Sequence, residues 1–264
     1  MSTKPLAYIH PDAQLADGVV IEPFSYVAAD VVIGEGTWVG PNVTIMDGAR
    51  IGKNCKIFPG AVISAIPQDL KFKGETTTAE IGDNNLIREC VTINRGTASR
   101  GRTVVGSNNL LMAYTHVAHD CIVGSNIIIG NGTQLAGEVL IDDYAILSSH
   151  VLVHQFEHIG SYVMVQGGSK VNKDIPPYIL VAHDPIAFAG INIIGLRRRG
   201  FTPSQVEGIQ NAYRILYGRG LNVSQALEVI ESEMQQTPER DAIVSFVRSS
   251  ERGVVRERSV KDMA

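Results

Sequence analysis

Every sixth residue over most of this chain is aliphatic. The run starts at Ile9, continues without a break to Ile63, resumes as Ile81, Ile87 and Ile93, and runs again from Val105 to Val171, giving 25 positions that are all Ile, Leu or Val. In 19 of these 25 hexads the residue four places after the anchor is Ala, Ser, Thr, Val or Cys. A period of six predicts a parallel β-helix in which each hexad is one short strand plus a corner. The anchor fills a narrow interior and the small residue shares it. Three hexads close a triangular coil, so residues 18 apart stack on neighbouring coils about 4.8 Å apart. Gly34, Gly52, Gly124 and Asn126 fall at corners and are expected to supply backbone conformations that bulky residues resist. A sandwich would instead need period-2 alternation with turns about every 8–12 residues.

Residues 64–80 and 94–104 interrupt the anchors without losing the sixfold phase. Excursions from a regular solenoid are where function usually sits. The repeat ends near Asp174-Ile-Pro-Pro, because paired prolines cannot continue a ladder. A helical tail follows. Thr202-Pro203-Ser204-Gln205 is a capping box, and Val206, Ile209, Tyr213, Leu216 and Tyr217 form one apolar face. Asn222 opens a second helix, with Ala226, Leu227, Ile230 and Met234 inward, and Thr237-Pro238 a third, with Ile243, Phe246 and Val247 inward. Residues 251–264 are charged and expected to fray. The expected division is therefore a mainly β unit over 1–190 and a C-terminal α-helical domain over 191–264.

The chain of 264 residues is 44% hydrophobic and 19% charged, which suits a globular protein with a core. Its net charge of −4 argues against a nucleic-acid binder. The charge is segregated: residues 191–264 hold 11 basic and 9 acidic side chains, net +2, and the rest is net −6. No apolar run reaches the roughly 18 residues of a membrane span, and the N-terminus lacks the apolar stretch of a signal peptide. Cys55, Cys90 and Cys121 are odd in number and far apart. They read as reduced, buried small side chains of a cytoplasmic protein.

Four of the seven histidines, His116, His119, His150 and His154, fall on the solenoid between Val105 and Val153 or one residue past it. His119 comes two residues after the anchor Val117, so its side chain is expected to leave the core. The stacking rule puts Gly137 and then Gln155 above it, with Glu138 and His154 beside them. His116, His119, Glu138 and His154 should line one stripe, and Asp120 is placed to fix the tautomer of His119, as general acid–base chemistry requires. A solvated polar face is the plainer alternative.

Six stretches carry a resemblance: Gln68-Asp-Leu-Lys-Phe72, Ile87-Arg-Glu-Cys-Val-Thr-Ile-Asn-Arg-Gly-Thr97, His116-Val-Ala-His-Asp-Cys121, Leu135-Ala-Gly-Glu-Val139, Val153-His-Gln-Phe156 and Gly195-Leu-Arg-Arg-Arg-Gly-Phe201. With the hexads, they resemble the UDP-N-acetylglucosamine O-acyltransferases of lipid A synthesis, within the hexapeptide-repeat acyltransferases. That resemblance implies a left-handed parallel β-helix and transfer of an (R)-3-hydroxyacyl chain from acyl carrier protein to the 3-hydroxyl of UDP-GlcNAc. It implies His119 as general base, Asp120 as its orienting group and the Gly137 N–H as oxyanion donor. Gln68, Asp69, Lys71, His116, Glu138, His154 and Gln155 match positions that hold the nucleotide sugar or acyl chain. Gly167 matches an acyl-chain ruler, and Asn192 and Arg198 match uridine-diphosphate contacts. It also implies a homotrimer with sites between subunits, and no metal or cofactor. Glu138 and Ile194 depart from the residues common in the family, which leaves a 3-amino acceptor sugar open. A CoA-dependent acetyltransferase, a zinc carbonic anhydrase using His116 and His119, and a non-enzymatic scaffold are the other readings.

Overall fold

The computed structural model describes residues 2, 3 and 6–257. The chain forms three sheets of 11, 9 and 8 short strands, parallel except for the last strand of the largest, and they are the faces of a triangular prism coiled as a left-handed parallel β-helix. A typical strand is two residues, the first facing out and the second, the anchor, facing in. From Ile21 to Val171 all anchors are buried, whereas Ile9 and Leu15, at the open first coil, are half-buried. Paired residues are 18 apart in regular coils, 30 apart across the first excursion (Ile57 with Ile87) and 24 apart across the second (Ile87 with Leu111). Both offsets are multiples of six, which is why the phase survives.

The small interior position does more than save space. Where it is Ser25, Thr37, Asn85, Asn109 or Thr133, the side-chain oxygen accepts the backbone N–H of the stacked residue one coil on. Thr37, for example, accepts from the Cys55 N–H at 3.1 Å and donates to the Gly52 carbonyl at 2.8 Å. Buried polar atoms thus become rungs between coils.

The corners differ from expectation in two ways. Asn126 does take up the left-handed region, with φ 61°, but Gly34, Gly52 and Gly124 do not. They are needed for closeness: a Cβ on Gly34 would sit 2.6 Å from the carbonyl carbon of Gly52. Cys55 and Cys121 are buried as expected, and burial pushes the Cys121 thiol up to about 12. Cys90 is only half-buried, because it occupies a left-handed corner rather than the interior.

The prolines at 176 and 177 do not end the first sheet. Ile179–Ala182 adds one more parallel rung beyond them, and Ala187–Ile191 then returns antiparallel. Four helices follow: α1 (Ile193–Arg198), α2 (Pro203–Gly218), α3 (Val223–Glu233) and α4 (Pro238–Ser249). Thr202 and Asn222 both complete capping boxes, and the expected apolar faces of α2, α3 and α4 are buried or half-buried. The short helix α1 carries no periodic signal and was not expected. Tyr213 ties α2 to the solenoid through a 2.7 Å hydrogen bond to the Pro177 carbonyl. Residues 251–257 pack back rather than fray: Val254 and Val255 are buried, and Arg252 Nε donates to the buried Glu157 at 2.8 Å. Residues 258–264 of that expectation lie outside the described residues. No described helix is long and apolar enough to cross a membrane.

Candidate active site

The strand His116–Val117 lies between Thr92–Asn94 and Gln134–Leu135 in the nine-stranded sheet. His119 and Asp120 follow at the corner beyond it. The register places Arg95 one coil before His119, and Gly137 and Gln155 one and two coils after it. Asp120, Glu138 and Phe156 stack in the same way, and all three hold left-handed backbone, with φ 59°, 63° and 67°. The expected stripe therefore exists and is carried on a rigid frame.

At its centre, His119 Nδ1 is 2.8 Å from Asp120 Oδ2. Asp120 is fully buried. Burial pushes its carboxyl up, but the Thr97 hydroxyl, His119 and the backbone N–H groups of Thr97 and Arg100 outweigh that and hold it below the ordinary value. An ionised carboxylate only accepts hydrogen bonds, so Nδ1 carries the proton and Nε2 is left free as a base. The His119 imidazole rests on Gly137: a Cβ there would lie 2.5 Å from Cε1 and 2.6 Å from Nε2. Among the described residues nothing accepts from the Gly137 N–H, as at equivalent corner positions. His116 Nδ1 is 2.7 Å from the Thr92 hydroxyl, and burial together with the neighbouring His119 lowers its pKa, which favours the neutral ring.

Other expected residues are more loosely gathered. His154 is two coils along from this corner and its side chain is 54% exposed, with Nδ1 3.1 Å from the Gln155 carbonyl. Gln68, Asp69 and Lys71 lie on the loop between Ala65 and Thr78. Asp69 folds that loop by accepting the Lys71 N–H at 2.9 Å, while Gln68 and Lys71 are exposed and do not reach His119 within the chain. Gly167 has an ordinary φ and lies close to the coil before it: an added Cβ would be 3.1 Å from the Ser149 carbonyl oxygen. Asn192 is already occupied, since it caps α1 by accepting the Gly195 N–H and donates to the Tyr162 carbonyl at 2.9 Å. Arg198 is exposed, while its neighbour Arg199 lies 4.6 Å over the Tyr144 ring.

The sequence reading missed Thr97, Arg100 and Thr103. Thr97 and Arg100 donate to the Asp120 carboxylate, and Thr103 accepts the Asp120 N–H at 2.8 Å. The signal for them was that they lie in the second interruption, and Thr97 also ends the Ile87–Thr97 stretch that carried the resemblance, without a role assigned to it. Glu138 also has a partner not foreseen, Arg100 Nε at 3.7 Å. Among the described residues no group of three or more His, Cys, Asp or Glu is arranged to hold a metal ion.

Residues 30–65 and 102–137 match the family model of bacterial transferase hexapeptide repeats, and residues 174–255 match that of UDP N-acetylglucosamine O-acyltransferase, domain 2. The chain is 48% identical to an acyl-[acyl-carrier-protein]–UDP-N-acetylglucosamine O-acyltransferase of Ectopseudomonas mendocina (strain ymp), over 97% of this chain and 99% of that one. It is 49% identical to the protein of the same description from Alkalilimnicola ehrlichii, over 96% and 98%. The crystal structure of a UDP-N-acetylglucosamine acyltransferase from Bacteroides fragilis 9343 superposes with a TM-score of 0.95 at 60% identity, covering 96% of this chain and 99% of that one.

Proposed function

The chain belongs to the UDP-N-acetylglucosamine O-acyltransferase family, and we propose that it moves an (R)-3-hydroxyacyl chain from acyl carrier protein to the 3-hydroxyl of UDP-N-acetylglucosamine, the first step of lipid A biosynthesis, with His119 as general base. The observation that carries the base assignment is the 2.8 Å contact between His119 and the buried Asp120, with the imidazole laid over Gly137.

A sugar hydroxyl is a poor nucleophile at neutral pH, whereas a thioester is already activated. Nε2 of His119 takes the hydroxyl proton as oxygen attacks the thioester carbon. Asp120 stabilises the imidazolium, and the Gly137 N–H donates to the oxyanion. When the C–S bond breaks, the same proton passes to the leaving sulfur, so atoms and charge balance without a cofactor. His116, neutral and half-buried, presents a hydrogen bond to the sugar. Arg198 supplies an exposed guanidinium suited to a diphosphate.

Gln68, Asp69 and Lys71 act on the stripe of a neighbouring copy in a homotrimer. This assembly is supported by the exposure of Tyr114, Leu152 and Phe156, three large apolar side chains flanking the stripe. His154 and Gln155 then complete the pocket for the acyl chain, and Gly167 leaves its groove open. The basic C-terminal region, on an otherwise acidic chain, suits an acidic donor such as acyl carrier protein.

The test is a substrate panel: UDP-GlcNAc or its 3-amino analogue, each with 3-hydroxyacyl carrier proteins or acetyl-CoA. Acylated UDP-GlcNAc from the carrier-protein donor supports the reading. Product only with the 3-amino sugar moves the acceptor, and product only with acetyl-CoA removes the donor assignment. Light scattering that gives a monomer removes the shared site.

A further inference from the structure

The segment 95–101, between the strands Thr92–Asn94 and Arg102–Val105, is built around one carboxylate. The Thr97 N–H lies 3.0 Å from Asp120 Oδ1 and 3.2 Å from Oδ2, the Thr97 hydroxyl donates to Oδ2 at 2.7 Å, and the Arg100 N–H donates to Oδ1 at 3.1 Å. The segment is held in turn. The Arg95 N–H donates to the Ala65 carbonyl, the Gly96 N–H to the Thr78 carbonyl and the Gly101 N–H to the Thr97 carbonyl. At Gly96 it passes so close to the next strand that a Cβ would sit 2.3 Å from Arg102 N. Its Arg100 side chain reaches Glu138, the residue after Gly137 on the following coil. Three donor groups on one loop, two of them from Thr97, together with His119 fill the acceptor sites of the buried carboxylate and fix the direction in which Oδ2 meets His119.

We infer that Thr97 is a positioning residue, which sets the direction of the Asp120 carboxylate and through it the base on His119, and that the Arg100–Glu138 pair fastens the coil that carries Gly137. This rests on the reading of His119 as the base. The charged and titratable neighbours of the dyad are His116 on its own strand, Arg95 on the coil before, Arg100 on the loop, Glu138 on the next coil and Cys121 in the interior.

The experiment compares Thr97→Val, Thr97→Ser, Arg100→Ala and His119→Ala, with steady-state kinetics and pH profiles of kcat/KM for acyl transfer to UDP-GlcNAc. Thr97→Val keeps the side-chain shape and removes the hydrogen bond to the Asp120 carboxylate together with the one the hydroxyl accepts from the Ser99 N–H, both of which serine can restore. It is expected to lower kcat about tenfold to a hundredfold with KM little changed, and to move the acid limb of the profile to higher pH, because a carboxylate freed of one donor holds the imidazolium more strongly. Thr97→Ser recovers most of the loss. Arg100→Ala keeps its backbone donor and loses only a partly exposed ion pair, so kcat falls by no more than about fivefold and the acid limb stays. Folding is followed by circular dichroism, and Thr97→Ser serves if Thr97→Val does not fold. A dead His119→Ala beside a Thr97→Val of wild-type kcat and profile overturns this inference alone, as does a folded Thr97→Ser whose loss is as large as that of His119→Ala. An active His119→Ala overturns the base assignment on which it stands.

Discussion

Replacing Gly137 by alanine separates the chemistry of the site from its fold. The backbone there has an ordinary φ, so alanine carries no conformational penalty. The three atoms nearest the added methyl all belong to one side chain. They are Cε1, Nε2 and Nδ1 of His119, at 2.5, 2.6 and 3.2 Å. Non-bonded carbon atoms settle at about 3.5–4.0 Å, so the ring must withdraw by about 1 Å. The contact to Asp120, now 2.8 Å, then stretches past hydrogen-bonding distance. A misplacement of about 1 Å costs roughly a hundredfold in rate. The side chain that yields is partly exposed, so the fold loses only about 1 kcal/mol, the low end for overpacking, or a few degrees in Tm. The assay is kcat for acyl transfer beside thermal unfolding of the same preparation. A folded Gly137→Ala within about threefold of wild-type kcat would refute the reasoning, because the imidazole could not then be resting on that glycine during turnover.

The opposite balance is expected at Gly34→Ala. Its Cβ would press on Gly52 backbone, so stability falls by about 1–3 kcal/mol, read as a lower unfolding midpoint in urea, while kcat of the folded fraction is unchanged. The Asp120 carboxyl titrates below its ordinary 3.8 in the folded state. Its stabilising contribution is therefore complete above that value and is lost as pH falls through the folded value. The gap in Tm between wild type and Asp120→Asn should therefore close as pH falls below the carboxyl's ordinary 3.8, as measured by calorimetry. Gly167→Met keeps an ordinary φ, and its Cβ presses on the Ser149 carbonyl oxygen at 3.1 Å, which must give by a few tenths of an ångström; it should still fold, fill the open groove and shift preference to shorter acyl chains. An unchanged chain preference in a carrier-protein panel would remove the ruler.

What was legible in the sequence follows from which forces are local. The anchors from Ile21 to Val171 each satisfy the same demand for an aliphatic side chain in a narrow interior, so the period displays the prism directly. Caps such as Thr202 with Gln205 are satisfied within four residues, and they too could be read. Gly34, Gly52 and Gly124 were correctly placed at corners but for the wrong reason. Their need arises from the coil stacked above, which no single hexad displays. His119, Asp120 and Gly137 were brought together by counting in steps of 18, which works because the three lie in an uninterrupted run. Thr97 and Arg100 were out of reach by the same method. They lie inside an excursion whose path is set by its own hydrogen bonds, to Ala65 and Thr78, and not by the repeat. Asn192 shows the converse. A residue matched to the nucleotide has both ends of its amide engaged by the α1 cap and the Tyr162 carbonyl, a structural duty its sequence position alone does not display.

The central claim is that a rigid corner of the solenoid holds His119 as the base for acyl transfer. Its most direct test is kcat of purified His119→Ala against wild type, with 3-hydroxyacyl carrier protein and UDP-GlcNAc and with both proteins shown to be folded. General-base catalysis is worth about 10²–10⁴-fold, and a loss in that range with an unchanged Tm is the predicted result. A folded His119→Ala that retains more than about a tenth of wild-type kcat would contradict the account.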